Sequence, residues 1–312
     1  MHAVVWLVPP LAAVMASRMV IPRRAPDVRA ASPWRATLSR LSDDRVAMTA
    51  LALIIALYTV AVLAPWLAPY SPAAQPDIIA LKGQPPSLHH LFGTDQYSRD
   101  LLSRVVYGAR VSLTVALLAI LVSATVGTAY GAIAGYYGGR VDGFMMRLID
   151  AALAIPRILL LIAVLALWGG LPLPYLILVL GLTGWFGVSR IVRAQVLSVK
   201  ERDMVVAARA LGASDPHILW RHVLPNVLSP VIVAATLGIG NVIVLEAGLS
   251  YLGIGVQQPL ASWGNIIRDG SSQIATLWWI SLFPGLAIVL TVIAFNLIGD
   301  GLRDALDPRT KR

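Results

Sequence analysis

The chain has 312 residues, 57% of them hydrophobic and only 13% charged, whereas a soluble domain of this size carries about a quarter charged residues. That balance excludes a soluble enzyme or binding module and makes the chain an integral membrane protein. It has no cysteine, which excludes disulfides and thiolate chemistry, and its net charge of +9 follows membrane orientation instead of marking a nucleic-acid surface.

Residues 1–45 read as a cytoplasmic tail. His2 to Ala16 is apolar but short, and Arg18, Arg23 and Arg24 follow it, the reverse of a secretory signal peptide. Two alternatives stand for it: a start codon set too far upstream, with Met15 or Met19 the true start, or an interfacial segment. Residues 46–110 hold a first span (46–68) and a long outside segment. Prolines 69, 72, 76, 85 and 86 exclude regular structure from the first half of that segment. Thr94 or Asp95 is the expected cap of a helix entering the second span. The cluster Arg99, Arg104 and Arg110 there predicts an interfacial helix. His89-His90 lacks a third ligand, so no metal site is expected.

Residues 111–300 form the core, with spans at 111–134, 148–168, 173–189, 227–247 and 275–298, and residues 301–312 form a second cytoplasmic tail. Each span reaches the length a bilayer core requires, and none alternates like a barrel strand. The expected fold is therefore an all-α bundle of six transmembrane helices. Gly127, Gly131 and Gly135 recur at the spacing that lets two helix backbones approach closely. Nineteen of the 25 Lys and Arg fall on one side of this layout and five on the other, which places both termini and residues 200–226 in the cytoplasm.

Two ionisable residues stand out within the spans. Arg157, in Ile155-Pro156-Arg157-Ile158, is mid-span. It either lines a translocation path, where it would meet a carboxylate, or reaches the cytoplasmic face because Pro156 breaks the helix. Glu246 lies near the outer end of the fifth span, as a gate or partner contact or as an interfacial carboxylate. Asp300 and Asp304 are expected to anchor the sixth span.

The charged stretch Lys200–Asn226 interrupts the apolar pattern. Glu201, Val205, Ala208 and Gly212 share one helical face, so residues 201–211 predict a three-turn helix closed by Gly212. Ser214-Asp215-Pro216 opens a second helix, which Leu224-Pro225-Asn226 ends at the membrane. With Ala207 and Ala208 exposed, such an elbow either docks in another protein's groove or lies in the interface as a plain amphipathic loop. The three lysines, Lys82, Lys200 and Lys311, are followed by Gly, Glu and Arg, so none completes a Gly-Lys-Ser/Thr phosphate loop. The chain carries neither that ATP-binding motif nor a nucleophile–base motif, so it is not expected to be an enzyme and no cofactor is expected.

Ala207-Ala208, Gly212 and Leu224-Pro225 resemble the coupling loop of ABC-importer permeases, with Val206 standing where that family often has Glu. Phe92-Gly93-Thr94-Asp95 with Arg99-Asp100 resembles the segment before the second span in the dipeptide/oligopeptide/nickel group, although Ser98 replaces a usual Gly. Leu249-Ser250-Tyr251-Leu252-Gly253, Gly255-Val256-Gln257 and Ser262-Trp263-Gly264 resemble its outside segment. Asn296 through Asp304, with Leu306-Asp307-Pro308-Arg309, resembles its C-terminal end. The resemblance implies the C-type permease of a peptide-class importer in a bacterial or archaeal inner or plasma membrane. It also implies a sister permease, two ATP-binding subunits and an extracytoplasmic substrate-binding protein as partners. It places the ATPase contact at Ala207, Ala208, Gly212, Leu224 and Pro225; Glu201 is the candidate for a carboxylate contact in place of the Glu absent at Val206, and Arg157 and Glu246 are the candidates for the path. Glutathione and nickel complexes stand beside peptides as substrates, and an ATP-independent secondary transporter or channel is the rival class.

Overall fold

A computed structural model describes residues 33–168 and 170–306. The tail before residue 33 and the motif Asp307-Pro308-Arg309 lie outside the described residues. The elements in chain order are α1 (Pro33–Asp43), α2 (Arg45–Val62), α3 (Ala64–Leu67), α4 (Leu101–Tyr137), α5 (Gly139–Leu153), α6 (Arg157–Leu167), α7 (Leu173–Val199), α8 (Asp203–Ala210), α9 (Asp215–Ile218), α10 (Leu224–Tyr251), α11 (Trp263–Ser271) and α12 (Trp278–Leu306). Among the described residues there is no named strand. Five helices are long and apolar enough to cross a membrane, and the pair α5–α6 makes a sixth if counted as one broken span. Within a bilayer only such internally bonded segments satisfy the backbone, so the all-helical result follows from composition.

The last three helical runs extend past their expected spans, to Val199, Tyr251 and Leu306, and three earlier boundaries shift for local reasons. The first span ends at Val62, because Leu63 closes α2 and the proline after Ala64 starts α3. The span expected over 148–168 is bent by 73° between α5 and α6. Pro156 lacks an N–H and disfavours helical backbone at Ile155, so the helix restarts at Arg157. The second span begins ten residues before its expected start, at Leu101, and neither Thr94 nor Asp95 caps it. Asp100 does, accepting from the Ser103 backbone N at 2.8 Å and from the Ser103 hydroxyl at 2.7 Å.

The reason for that early start also resolves the Arg99–Arg110 cluster. Arg99 and Arg104 are 6% and 1% exposed, so they do not act as free charges on the outside. Arg99 Nε donates to Asp95 Oδ2 at 2.6 Å and Nη2 to Asp269 Oδ2 at 2.8 Å. Arg104 reaches the same two carboxylates at 3.3 and 3.0 Å. Gln258 accepts a further bond from Arg99 at 3.2 Å. Two guanidiniums and two carboxylates thus neutralise one another where a lone charge would be costly.

Around this cluster the segment between α3 and α4 folds with α11 into a crown over the ends of α4, α10 and α12. It is irregular in its first half, as its prolines dictate. Thr94 accepts from the Trp279 indole at 3.1 Å, Phe92 stacks on Phe283 at 3.9 Å, and His90 Nδ1 lies 2.9 Å from Asp100 Oδ1. Exposed Trp66, Trp168, Tyr175, Tyr251 and Trp278 lie at the helix ends on this side, the position that amphipathic rings take at a membrane–water boundary.

The tightest helix pair is α4 against α7. A Cβ built on Gly127, Gly131 or Gly135 would meet the backbone oxygens of Trp185, Ser189 and Arg193 at 2.8, 2.3 and 2.9 Å. The expected close approach is therefore real, and only glycine leaves room for it. Ser123 donates to the Gly181 carbonyl at 2.8 Å higher in the same seam.

Two measurements test these supports. Gly131→Leu wedges the seam open and costs at least ~1–3 kcal/mol. The expected result is a clear fall in the thermal midpoint of the purified protein, and an unchanged midpoint refutes the seam. Asp269→Ala strands Arg99 and Arg104 short of one carboxylate and costs about 3–5 kcal/mol. Denaturant titration should show that loss at both low and high salt, since screening barely reaches a buried cluster.

Candidate functional site

The stretch between α7 and α10 folds as an elbow at the end of the bundle opposite the crown. Lys200 closes α7, and its Nζ donates to the Gly135 carbonyl at 3.0 Å. Glu201 lies in the turn that follows, so the helix is shorter than its predicted 201–211 and Glu201 is not on its face. Arg202 is the N-cap residue of α8. Gly212 takes a φ of +80°, a conformation nearly reserved for glycine. Its N–H bonds the Arg209 carbonyl at 3.0 Å, and Ala213 N bonds the Ala208 carbonyl at 3.1 Å, closing the helix as the sequence indicates. Ser214 then occupies the N-cap position of α9, with proline in its first turn.

The two faces of the elbow differ. Val205, Ile218 and Val223 are fully buried against Val192, Val196 and Val199 of α7 and against Ala132 and Tyr136 of α4. Ala208 is half-buried on that side, a correction to its expected exposure, whereas Ala207 faces out. The Tyr136 hydroxyl donates to Asp215 Oδ1 at 2.7 Å and ties α9 to the end of α4. The outward face carries Met204, Val206, Leu211 and Trp220, the last two 89% and 73% exposed. Leu211 and Trp220 escape a sequence reading because an apolar residue gives no contrast in so apolar a chain.

Leu224-Pro225 does not end the second helix. The chain runs helically from Asp215 to Tyr251 because residues Leu219–Val223 form a π turn. A widened turn ahead of Pro225 removes the demand for its missing N–H and relieves the ring's clash with the preceding turn. The elbow is thereby covalently and helically continuous with α10.

The remaining candidates lie elsewhere and share no contact with each other. Arg157, in the first turn of α6, donates through Nη2 to the Leu180 carbonyl at 2.8 Å and through Nε to Thr183 Oγ1 at 3.3 Å. Pro156 does break the helix, but the side chain turns onto α7. Glu246 is fully buried, with hydroxyl donors from Ser112 at 2.9 Å and Ser250 at 2.6 Å. Above the elbow, a groove of about 560 Å³ runs between α7, α10 and α12, lined by Gln195, Ser229, Val233, Leu237 and Arg303 among others. Nothing in the linear sequence joins those three helices, so that groove is visible only in the fold.

Residues 127–312, which include the elbow, match the family described as binding-protein-dependent transport system inner membrane component, and residues 32–86 match the N-terminal transmembrane domain of oligopeptide transport permease C. The chain belongs to this permease family. The permease is 42% identical to the dipeptide transport system permease protein DppC of Bacillus subtilis, over 89% of this chain and 85% of that one. It is 38% identical to the oligopeptide transport system permease protein OppC of the same organism, over 90% and 91% of the two chains. It is 40% identical to the glutathione transport system permease protein GsiD of Escherichia coli O6:K15:H31, over 90% and 92%.

Membership makes the permease a multi-pass inner-membrane component of a transport system that depends on a binding protein, with ATP hydrolysis residing in other subunits. It is not an enzyme. In the permease the position where the resembled loop often has Glu is Val206, which is 51% exposed.

Proposed function

We propose that the permease is the transmembrane subunit of an ATP-driven importer of small peptides, and that it forms the translocation path together with a sister permease. Two ATP-binding subunits drive it and an extracytoplasmic binding protein supplies the substrate. Both termini and the elbow lie in the cytoplasm, and the crown faces the binding protein. The clustering of Lys and Arg around the elbow end supports this orientation. So does the mutual neutralisation of Arg99 and Arg104 in the crown.

The observation that carries the proposal is the two-faced elbow. Its inner face is locked to α4 and α7 by Val205, Ile218 and Val223, while Met204, Val206, Leu211 and Trp220 remain open to a partner. A short helix with an apolar outer face fits a groove on another protein. Residues 200–226 are the segment the ATPase grips, with Glu201 and Ala207 at the rim, Ala208 and Gly212 shaping α8, and Leu224-Pro225 carrying movement into α10. ATP acts on the permease only by binding one arrangement of the ATPase pair more tightly than another, so a rigid joint is needed to pass that preference on.

Peptides are the substrate class because three relatives of similar identity are named for dipeptides, oligopeptides and glutathione. All three ligands present carboxylates. Arg157 is the mid-bundle cation we assign to that charge.

Leu211→Glu is the sharper test of the joint, since a charge at Ala208 would also disturb packing. The variant should insert and fold normally yet lose at least tenfold in ATP-driven uptake of labelled di- and tripeptides. Normal uptake by Leu211→Glu removes the docking role, and uptake without ATP in sealed vesicles supports the secondary-transporter class instead. Arg157→Ala should raise KM about tenfold for peptides with a free C-terminus, the loss of one charge-assisted hydrogen bond. Amidated peptides should be unaffected. An equal change for both ligand types means that Arg157 only braces α6 on α7.

A further inference from the structure

The feature of the crown end that the proposed function leaves unused is the buried carboxyl group of Glu246. Its two oxygens are the centre of two matching relays. Oε1 accepts from the Ser250 hydroxyl at 2.6 Å, and the Ser250 oxygen accepts from the Val256 backbone N–H at 2.9 Å. Oε2 accepts from the Ser112 hydroxyl at 2.9 Å, and the Ser112 oxygen accepts from the Trp263 backbone N–H at 3.3 Å. Each serine has one proton, and a backbone N–H can only donate. With each serine oxygen accepting from its backbone N–H and each hydroxyl proton turned to Glu246, both carboxyl oxygens act as acceptors.

The geometry joins four parts of the fold at one point. Glu246 and Ser250 belong to α10, Ser112 to α4, Val256 to the segment between α10 and α11, and Trp263 to the first turn of α11. The contact is close as well as polar: a Cβ on Gly264 would stand 2.4 Å from the Ala247 carbonyl, and one on Gly255 would stand 2.4 Å from the Ser250 hydroxyl. The Trp263 indole also donates to the Val105 carbonyl of α4 at 3.1 Å. The crown segment 253–263 is thus seated on α10 with no slack, through a group that no apolar packing requires.

The other end of the same helical run is the elbow. From Asp215 to Tyr251 the run is 37 residues long, about 55 Å at the usual rise, which is enough to cross the bilayer. We propose that Glu246 is the positioning residue that makes this run and the crown segment 253–263 move as one body, so that elbow displacement opens and closes the crown. The proposal rests on the reading of the elbow as the ATPase joint. It assigns Glu246 to the crown closure and not to contact with the peptide.

Glu246→Gln keeps the shape but turns one acceptor oxygen into an NH₂ donor, which breaks one relay. Ser250→Ala and Ser112→Ala each remove one arm and leave the carboxyl group in place. The whole importer, purified through a tag on this chain and reconstituted with its binding protein, supplies the main readout: peptides imported per ATP hydrolysed. The expected result for Glu246→Gln is normal complex yield, ATP hydrolysis within twofold of the parent, and at least a tenfold fall in that ratio. Each serine variant should fall between parent and Glu246→Gln.

The absence of cysteine in the chain allows a second readout by paired spin labels. Tyr175→Cys on α7 and Leu260→Cys in the crown segment are both exposed. ATP with vanadate should change the distance between them in the parent and leave it unchanged with Glu246→Gln. An unchanged ratio in Glu246→Gln, a fall in transport matched by an equal fall in hydrolysis, or a parent label pair that ignores nucleotide each overturns the proposal. If instead the elbow reading is what fails, Leu211→Glu retains coupled uptake, an outcome separate from all three.

Discussion

The structure depends first on how closely α4 and α7 approach. Without Cβ atoms at Gly127, Gly131 and Gly135, α4 rests on the backbone oxygens of α7, and helices in lipid gain most of their association from such contact. Everything with a functional reading is mounted on this pair. The elbow is seated on its lower end through Tyr136, Val196 and Val199, and the crown is built on its upper end from Leu101 onward. Val188, Val192 and Val196 of α7 sit against the notches that the three glycines leave, so the seam also holds the register of its two ends.

The third structural helix, α10, solves the opposite problem. It must be stiff along its length, yet it begins among prolines at Pro216 and Pro225 and holds another at Pro230. The π turn at Leu219–Val223 absorbs the mismatch in one place, close to the elbow. The remainder of the helix then runs to Tyr251 with glycine-mediated contacts on α12 and α11. Buried polar groups appear along it only near the crown, where Glu246 and Ser250 sit.

Much of this was legible in the sequence, for reasons that differ by residue. The spans were, because a bilayer demands long apolar windows whatever the tertiary fold. Gly212 was, because a positive φ leaves little choice of residue. The start of α4 was not: Arg99 and Arg104 look like charges that must lie outside the membrane, and one of the two carboxylates that cancel them, Asp269, comes from far along the chain. The run through Pro225 was not, because a π turn has no signature in composition. Ala207 is exposed as expected; Ala208 is half-buried because it shares a helical face with Val205, and in so apolar a chain nothing marks that face as the inner one. Glu246 could be picked out as unusual, but its role depends on Ser112, which lies 134 residues earlier.

The Arg99–Arg104–Asp95–Asp269 cluster also orders the biogenesis of the protein. Asp269 is synthesised 165 residues after Arg104, on the order of ten seconds or more at ribosomal rates. Throughout that interval two guanidiniums at the head of α4 have one carboxylate, Asp95, between them. They stay hydrated at the membrane surface, and α4 enters the bilayer with its first turn still outside. The crown is completed only when α11 and then Trp279 and Phe283 of α12 have been made, so a chain truncated before them lacks a native crown.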